Sequence, residues 1–364
     1  MKLNINENEK IISLLNLWYE EIIKYNLCRA KKLKDEVNTK LKEINVDSQV
    51  QIYYDLFDFR YQVLTDGISI NKKSFEHMNS LELPADNRVQ YYYYFFKAIC
   101  KTMISEYKEA ETCFEKAEEL LVNIQDEIEK AEFQYRKATF YYQTFKPLEA
   151  IEYSKQAKYL YSNHTGYEVN ATLCENTIGL ACIDLRQFEK AEEYLNTAID
   201  TLQKQEEESL LLRVRYNLAW LYNSQKLSSL AIRHASEITE KIPNHYKAIF
   251  VQAKGYYKLG DLERATRYIR KGLDLAINTG NEEYRHHFTI LNVLCKEGNL
   301  DELEKVTNDG ISYFEKEEIW DCVKKYTELL AIEFYKKDVH SKASHYFYMN
   351  NKADGKQLAK GALK

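Results

Sequence analysis

The sequence predicts an all-α chain, and three observations predict it. Helix breakers are scarce: 3 Pro and 11 Gly in 364 residues, among abundant Leu, Ala, Glu, Lys and Tyr. From residue 110 onward an anchor position, small in six of its seven occurrences, recurs roughly every 40 positions, inside a helix–turn–helix pattern. Ahead of it, the chain reads as three helices without that period. The expected architecture is an N-terminal three-helix bundle (1–66), a linker helix (67–87) and a superhelix of about seven repeats (88–364).

The bundle is argued helix by helix. Residues 8–26 place Ile11, Ile12, Leu14, Leu15, Leu17, Trp18, Ile22 and Ile23 at amphipathic helical spacing. Residues 28–45 give a more charged helix with a stripe of Ala30, Leu33, Val37 and Leu41. Residues 47–65 carry Tyr53, Tyr54, Phe57, Phe59 and Tyr61. That third helix is apolar almost all round, which predicts a central place. Asp47 is suited to cap its N-terminus. Gly67 marks the linker.

The repeat anchors are Ala110, Ala150, Ala191, Ala231, Ala265, Leu303 and Ala343. In 211–244, Ala219 is the small residue of the first helix, Ala231 that of the second, and Pro243 stops the unit. In 245–278 the same roles fall to Ala253 and Ala265, with a turn at Gly260. Small residues let antiparallel helices approach, while Tyr256 and Tyr268 fill the space beside them. These patterns resemble tetratricopeptide repeats, whose stacked helices form surfaces for holding peptides or proteins.

Several classes are disfavoured. A net charge of −5 with no dense basic stripe argues against direct nucleic-acid binding. A polar N-terminus and the lack of any long apolar run argue against secretion or a membrane span and for a cytoplasmic protein. Seven Cys without CxxC spacing read as buried thiols. Adjacent His286 and His287 diverge by roughly 100° on a helix, which does not suit a metal cage. No hydrolase triad, phosphate loop or metal cluster is visible, so no cofactor of the chain's own is expected.

The segments "DSQVQIYYDLFDFRYQVL" (47–64) and "YYYYFFKAICKTMISEYKEAETCFEKAEELLVNIQDEIEKAEFQYRKATFYY" (91–142) resemble the Rap family of Bacillus response-regulator aspartate phosphatases, "DEIEKAEFQY" (126–135) most closely. The resemblance covers essentially the whole chain. It implies a quorum-sensing regulator whose bundle grips a response regulator and whose repeats bind a short Phr-type peptide that releases it. Some members hydrolyse the regulator's aspartyl phosphate; others only sequester the regulator. Phosphatase members insert a Gln that orients the attacking water, while Mg²⁺ and the phosphorylated Asp belong to the partner. On that pattern the Gln position reads Ser48, with Gln49 one residue later as the candidate catalytic side chain. Asp47, Ser48, Gln51 and Phe59 fall where the regulator would be touched.

Groove positions, counted from the small residue of each first helix, include Tyr142, Asn176, Asn217, Trp220, Asn223 and Lys254. An Asn amide can both donate to and accept from a peptide backbone, which makes Asn217 the preferred clamp. Asp184 matches the acidic position that in relatives faces a basic peptide side chain. A peptide of about five to seven residues is expected. The alternative is an ungated tetratricopeptide scaffold for protein–protein interaction.

Overall fold

The computed structural model describes residues 7–43, 48–66, 70–79, 84–104, 106–296 and 299–361. Among them are 18 α-helices, one 3-10 turn and no strand. The bundle comprises α1 (Glu7–Ile23), α2 (Leu27–Glu43) and α3 (Ser48–Asp66). The 3-10 turn Lys72–Phe75 leads into α4 (Glu76–Asn79). Seven helix pairs follow in chain order. They are α5 (Asn87–Met103) and α6 (Tyr107–Leu121), then α7 (Glu127–Gln143) and α8 (Pro147–Ser162). Next come α9 (Glu168–Asp184) and α10 (Phe188–Lys204), then α11 (Glu208–Ser224) and α12 (Ser228–Lys241). The last are α13 (Tyr246–Lys258) and α14 (Leu262–Asn278), α15 (Glu282–Cys295) and α16 (Leu300–Lys316), and α17 (Trp320–Lys336) and α18 (His340–Gly361). The all-α class and the order of bundle before repeats are as the sequence predicts. Among the described residues no helix is long and apolar enough to cross a membrane.

The chain packs as two compact units, Met1–Ala181 and Cys182–Lys364. The division falls inside α9, whereas the functional plan read from the sequence divides at 66–88. The reason lies in the first unit's aromatic core. Trp18 of α1 is fully buried between Tyr54 and Tyr61 of α3, at 5.7 and 5.9 Å between ring centroids. Tyr19 stacks on Phe57 of α3 at 4.4 Å and meets the edge of Tyr92 of α5 at 5.2 Å. Rings of the bundle and of the first repeat thus share one core, in which offset and edge contacts are favourable beyond area burial.

The second unit is built by small residues at close crossings. Its anchors Ala191, Ala231, Ala265, Leu303 and Ala343 are buried, as are Ala110 and Ala150 in the first unit. Gly272 of α14 faces the fully buried Phe288 of α15, and a Cβ there would stand 2.1 Å from the ring. The shorter interval from Ala231 to Ala265 coincides with shorter helices, 14 residues in α12 and 13 in α13, where most others have 17.

Among the described residues, nine helix-to-helix turns close in the same way. The second residue after the first helix sits in the left-handed region, at Tyr25, Phe145, Arg186, Glu206, Lys226, Gly260, Gly280, Glu318 and Asp338. At Arg186 (φ 56°) its N–H donates to the Ile183 carbonyl at 3.0 Å, and the next N–H, of Gln187, reaches back to Cys182 at 2.8 Å. This paired closure satisfies carbonyls the helix end would otherwise leave open. Only two of the nine positions use Gly, so the rest carry a side chain at a cost of roughly 1 kcal/mol each.

Two substitutions follow. Arg186→Gly is expected to raise unfolding free energy by up to about 1 kcal/mol in urea melts, because it removes that strain. Gly272→Ala is expected to lower it by about 1–3 kcal/mol, because the added methyl would force the fully buried Phe288 ring to shift.

Candidate functional site

The first turn of α3 carries Ser48, Gln49 and Gln51 of the residues assigned to the regulator. Asp47 lies outside the described residues. Ser48 is exposed at the helix start. Gln49 is half-buried, and its Nε2 donates to Asp86 Oδ2 at 2.9 Å. Asp86 is itself the N-cap of α5, accepting from the N–H groups of Arg88 and Val89. The Gln49 amide is therefore tied to a neighbouring helix end. Gln51 is exposed and donates to Asp55 one turn on, at 2.9 Å. Phe59 corrects the sequence reading: it is 2% exposed and packs edge-on against Phe75 at 5.1 Å, so it is a core ring and offers nothing to a partner.

Beneath this face, helix α7 holds two buried carboxylates one turn apart. Glu132 takes Arg60 of α3 at 2.8 Å, Arg136 at 2.7 Å and the Tyr161 hydroxyl of α8 at 2.8 Å. Arg136 also donates to Tyr25 Oη, in the α1–α2 turn, at 3.2 Å. Arg60 and Glu132 are 1% and 0% exposed at their side chains. Burial would raise the Glu132 pKa, but Arg136 and Arg60 overcome it and hold the carboxyl below its ordinary range. Glu129 has the opposite surroundings. It accepts from the hydroxyls of Tyr92, Tyr91 and Tyr19 at 3.0, 3.3 and 3.5 Å. Burial, seconded by Asp126, pushes its pKa up to about 8. Both glutamates lie in "DEIEKAEFQY", the stretch most characteristic in sequence; its chemistry is the joint between bundle and repeats. The available signal was a lone Arg in the aromatic run "FDFRY", which needs a buried anion.

The peptide positions separate into open and closed ones. In the first unit Tyr142 is half-buried, while Asn176 is only 3% exposed. In the second, Asn223 is 6% exposed and its backbone carbonyl accepts from Lys258 at 3.4 Å. Asn176 and Asn223 therefore face packed protein rather than a groove: counting from the small residue gives direction around the helix but not depth. Asn217 and Lys254 are half-buried, and Trp220 is 37% exposed. Asp184, at the end of α9, keeps an exposed edge but is flanked by enough protein that desolvation, then the charge of Asp321, push its carboxyl up to about 6.

The raised Glu129 pKa makes stability depend on pH. Folding takes up a proton here between about pH 4.5 and 8, so this group's contribution is full below that window, falls as pH rises through it and is level above. Glu129→Gln is expected to gain on the wild type by on the order of 2–4 kcal/mol between pH 5 and pH 8.5 in urea unfolding. Glu132→Ala is expected to cost about 3–5 kcal/mol at pH 7, since it strands Arg60 without a counter-charge.

Known proteins share the all-α architecture of bundle and repeats. The family described as response regulator aspartate phosphatase H, N terminal, matches residues 5–66, and a tetratricopeptide repeat matches residues 176–201. Regulatory protein RapF of Bacillus subtilis (strain 168) is 25% identical over 353 residues, covering 92% of this chain and 91% of RapF. The crystal structure of a Rap protein complexed with competence and sporulation factor superposes with a TM-score of 0.83 at 22% identity, over 97% of this chain and 99% of that one. The Rap conjugation gene regulator of plasmid pLS20, solved with the Phr* peptide, has a TM-score of 0.64 at 19% identity, over 98% and 99%. At these identities the structural likenesses speak for the fold. Taken with the match at the bundle and the full-length relative, the chain resembles the Rap family along its whole length.

Proposed function

We propose that this chain is a peptide-gated inhibitor of a bacterial response regulator, and that it acts by holding the regulator rather than by hydrolysing its phosphate. The observation that carries the second half is the Gln49–Asp86 hydrogen bond at 2.9 Å. A water-positioning amide must be free to reach into the partner's site. Here the residue at the expected position is Ser48, which has no amide, and the neighbouring Gln49 is engaged in a helix cap. The regulator would dock on the exposed start of α3, around Ser48 and Gln51. Any Mg²⁺ in the complex would be the regulator's.

The peptide is assigned to the first-helix face of the second unit. Asn217 clamps the backbone, Asp184 receives a basic side chain, and Trp220 and Lys254 flank them. Support comes from the family and from the Phr*-bound relative, whose own ligand is a peptide. The buried Glu132 joint supports coupling between the bundle and the first repeats, since a shift in α7 or α8 must carry Arg60 of α3 with it.

Two measurements test this. Purified response regulators, phosphorylated with acetyl phosphate, are expected to include one that binds the chain by calorimetry without faster loss of its phosphate. Accelerated phosphate release that disappears in Gln49→Ala would overturn the sequestration reading. A basic pentapeptide is expected to bind more tightly as pH rises through about 6, where Asp184 ionises, and to lose that dependence in Asp184→Asn. Unchanged peptide affinity in Asn217→Ala would remove the clamp.

A further inference from the structure

The carboxyl of Glu129 is the point where α1, α5 and α7 meet. Glu129 belongs to α7, Tyr19 to α1, and Tyr91 and Tyr92 to α5, and all four side chains are buried. The Tyr92 hydroxyl donates to Oε1 at 3.0 Å; those of Tyr91 and Tyr19 donate to Oε2 at 3.3 and 3.5 Å. The Tyr19 ring also lies on Phe57 of α3 and against the edge of Tyr92, so this phenol closes the α1 side of the carboxyl. The far end of α1 is tied down separately. Asn170 of α9 donates to the Ile23 carbonyl at 3.0 Å, and Arg136 of α7 holds the Tyr25 hydroxyl at 3.2 Å.

The charges around this carboxyl favour a proton on it. On its own helix, Asp126 and then Glu132 disfavour a second anion. On α5, Arg88 is exposed and bonds the Tyr92 hydroxyl, so its attraction reaches Glu129 only at second hand. On α3, Arg60 is committed to Glu132. Tyr19 on α1, Tyr91 and Tyr92 on α5, and Tyr167 in the α8–α9 turn are held neutral by burial. Among the described residues no lysine or arginine forms an ion pair with Glu129. A neutral carboxyl suits such surroundings, whereas a carboxylate is at ease only where water reaches it.

We propose that Glu129 is a proton-operated latch on α1: protonated, it holds Tyr19 against α5 and α7, and once its proton leaves to solvent the N-terminal part of α1 lifts away about a hinge at Ile23–Tyr25 and the carboxylate is hydrated. The claim goes beyond a pH-dependent stability, because the opening belongs to α1 and is not shared by the whole unit. Arg60 pins α3 to α7 through Glu132, a contact that does not use the Glu129 proton. Acidification therefore closes α1 over the aromatic face of α3, and alkalinity bares that face more often. The latch does not depend on the regulator or peptide readings. Its sign follows from the carboxyl standing at about 8 when buried against an ordinary 4.5. The closed form is favoured at low pH, loses ground as pH rises through that window and loses no more above it.

The test is hydrogen–deuterium exchange of the full chain between pH 6 and 9, read by mass spectrometry and corrected for base catalysis of exchange. Protection of α1 is expected to fall about tenfold per pH unit from pH 6 to 7.5, the dependence of an opening that releases one proton, and to level off above pH 8. Protection of α3 and α8 is expected to change little over the same range. Glu129→Gln keeps an amide among the tyrosines without a proton to lose, and its α1 is expected to show a flat profile. Constant α1 protection in the wild type would overturn the latch. Equal falls in α1, α3 and α8 would overturn it too, leaving Glu129 a stabiliser of the whole unit. An unchanged slope in Glu129→Gln would assign the proton to another group. Should that variant not fold, the wild-type comparison of α1 with α3 and α8 decides.

Discussion

The ion pair between Arg60 and Glu132 is the contact on which the first unit depends. Neither side chain reaches water, so each charge is tolerable only with the other in place. The carboxylate gathers groups from α3, α7 and α8, and through Arg136 a fourth from the α1–α2 turn. Apolar packing alone would let these helices slide by a fraction of a turn at modest cost. A buried carboxylate with three fixed donors does not, because any slide breaks a charge-assisted bond where water cannot replace it.

One turn away, Glu129 sits among tyrosine hydroxyls and is pushed the other way in pKa. The contrast shows how local the electrostatics of this joint are. Two carboxylates of the same helix, both buried, differ in charge state at neutral pH because one faces guanidinium groups and the other faces phenols. The polar atoms of Arg60 are not all used: Nε and Nη1 have no partner among the described residues. Its stability rests on Glu132, with Phe96 at 5.8 Å from its guanidinium carbon.

Much of the fold was legible because helix packing demands small residues at fixed intervals, and the alanines from Ala110 to Ala343 announce themselves. The turns were not, because at Phe145, Arg186, Lys226 and Asp338 the left-handed position carries a side chain that no composition rule flags. At the candidate site, the direction of Asn217 and Trp220 could be counted from Ala219, but the burial of Asn176 and Asn223 depends on how far the next helix leans over them. Phe59 was misread for the same reason: in a helix with aromatics on every side, only the packing of Phe75 decides which ring is core. The surroundings of Lys254 were legible only in part: Lys258 lies one turn on in α13, but Lys325 approaches from α17.

The buried joint also fixes where this chain can exchange parts with its relatives. A crossover at the end of the bundle, the obvious seam in the sequence, would bring Glu132 a new third helix and leave its charge dependent on whether that helix carries an arginine at the right turn. Crossovers beyond α8 carry the whole charge set along. Shuffling among related genes should therefore leave its breakpoints downstream of residue 162, and the first two repeats should be inherited with the bundle rather than with the later repeats.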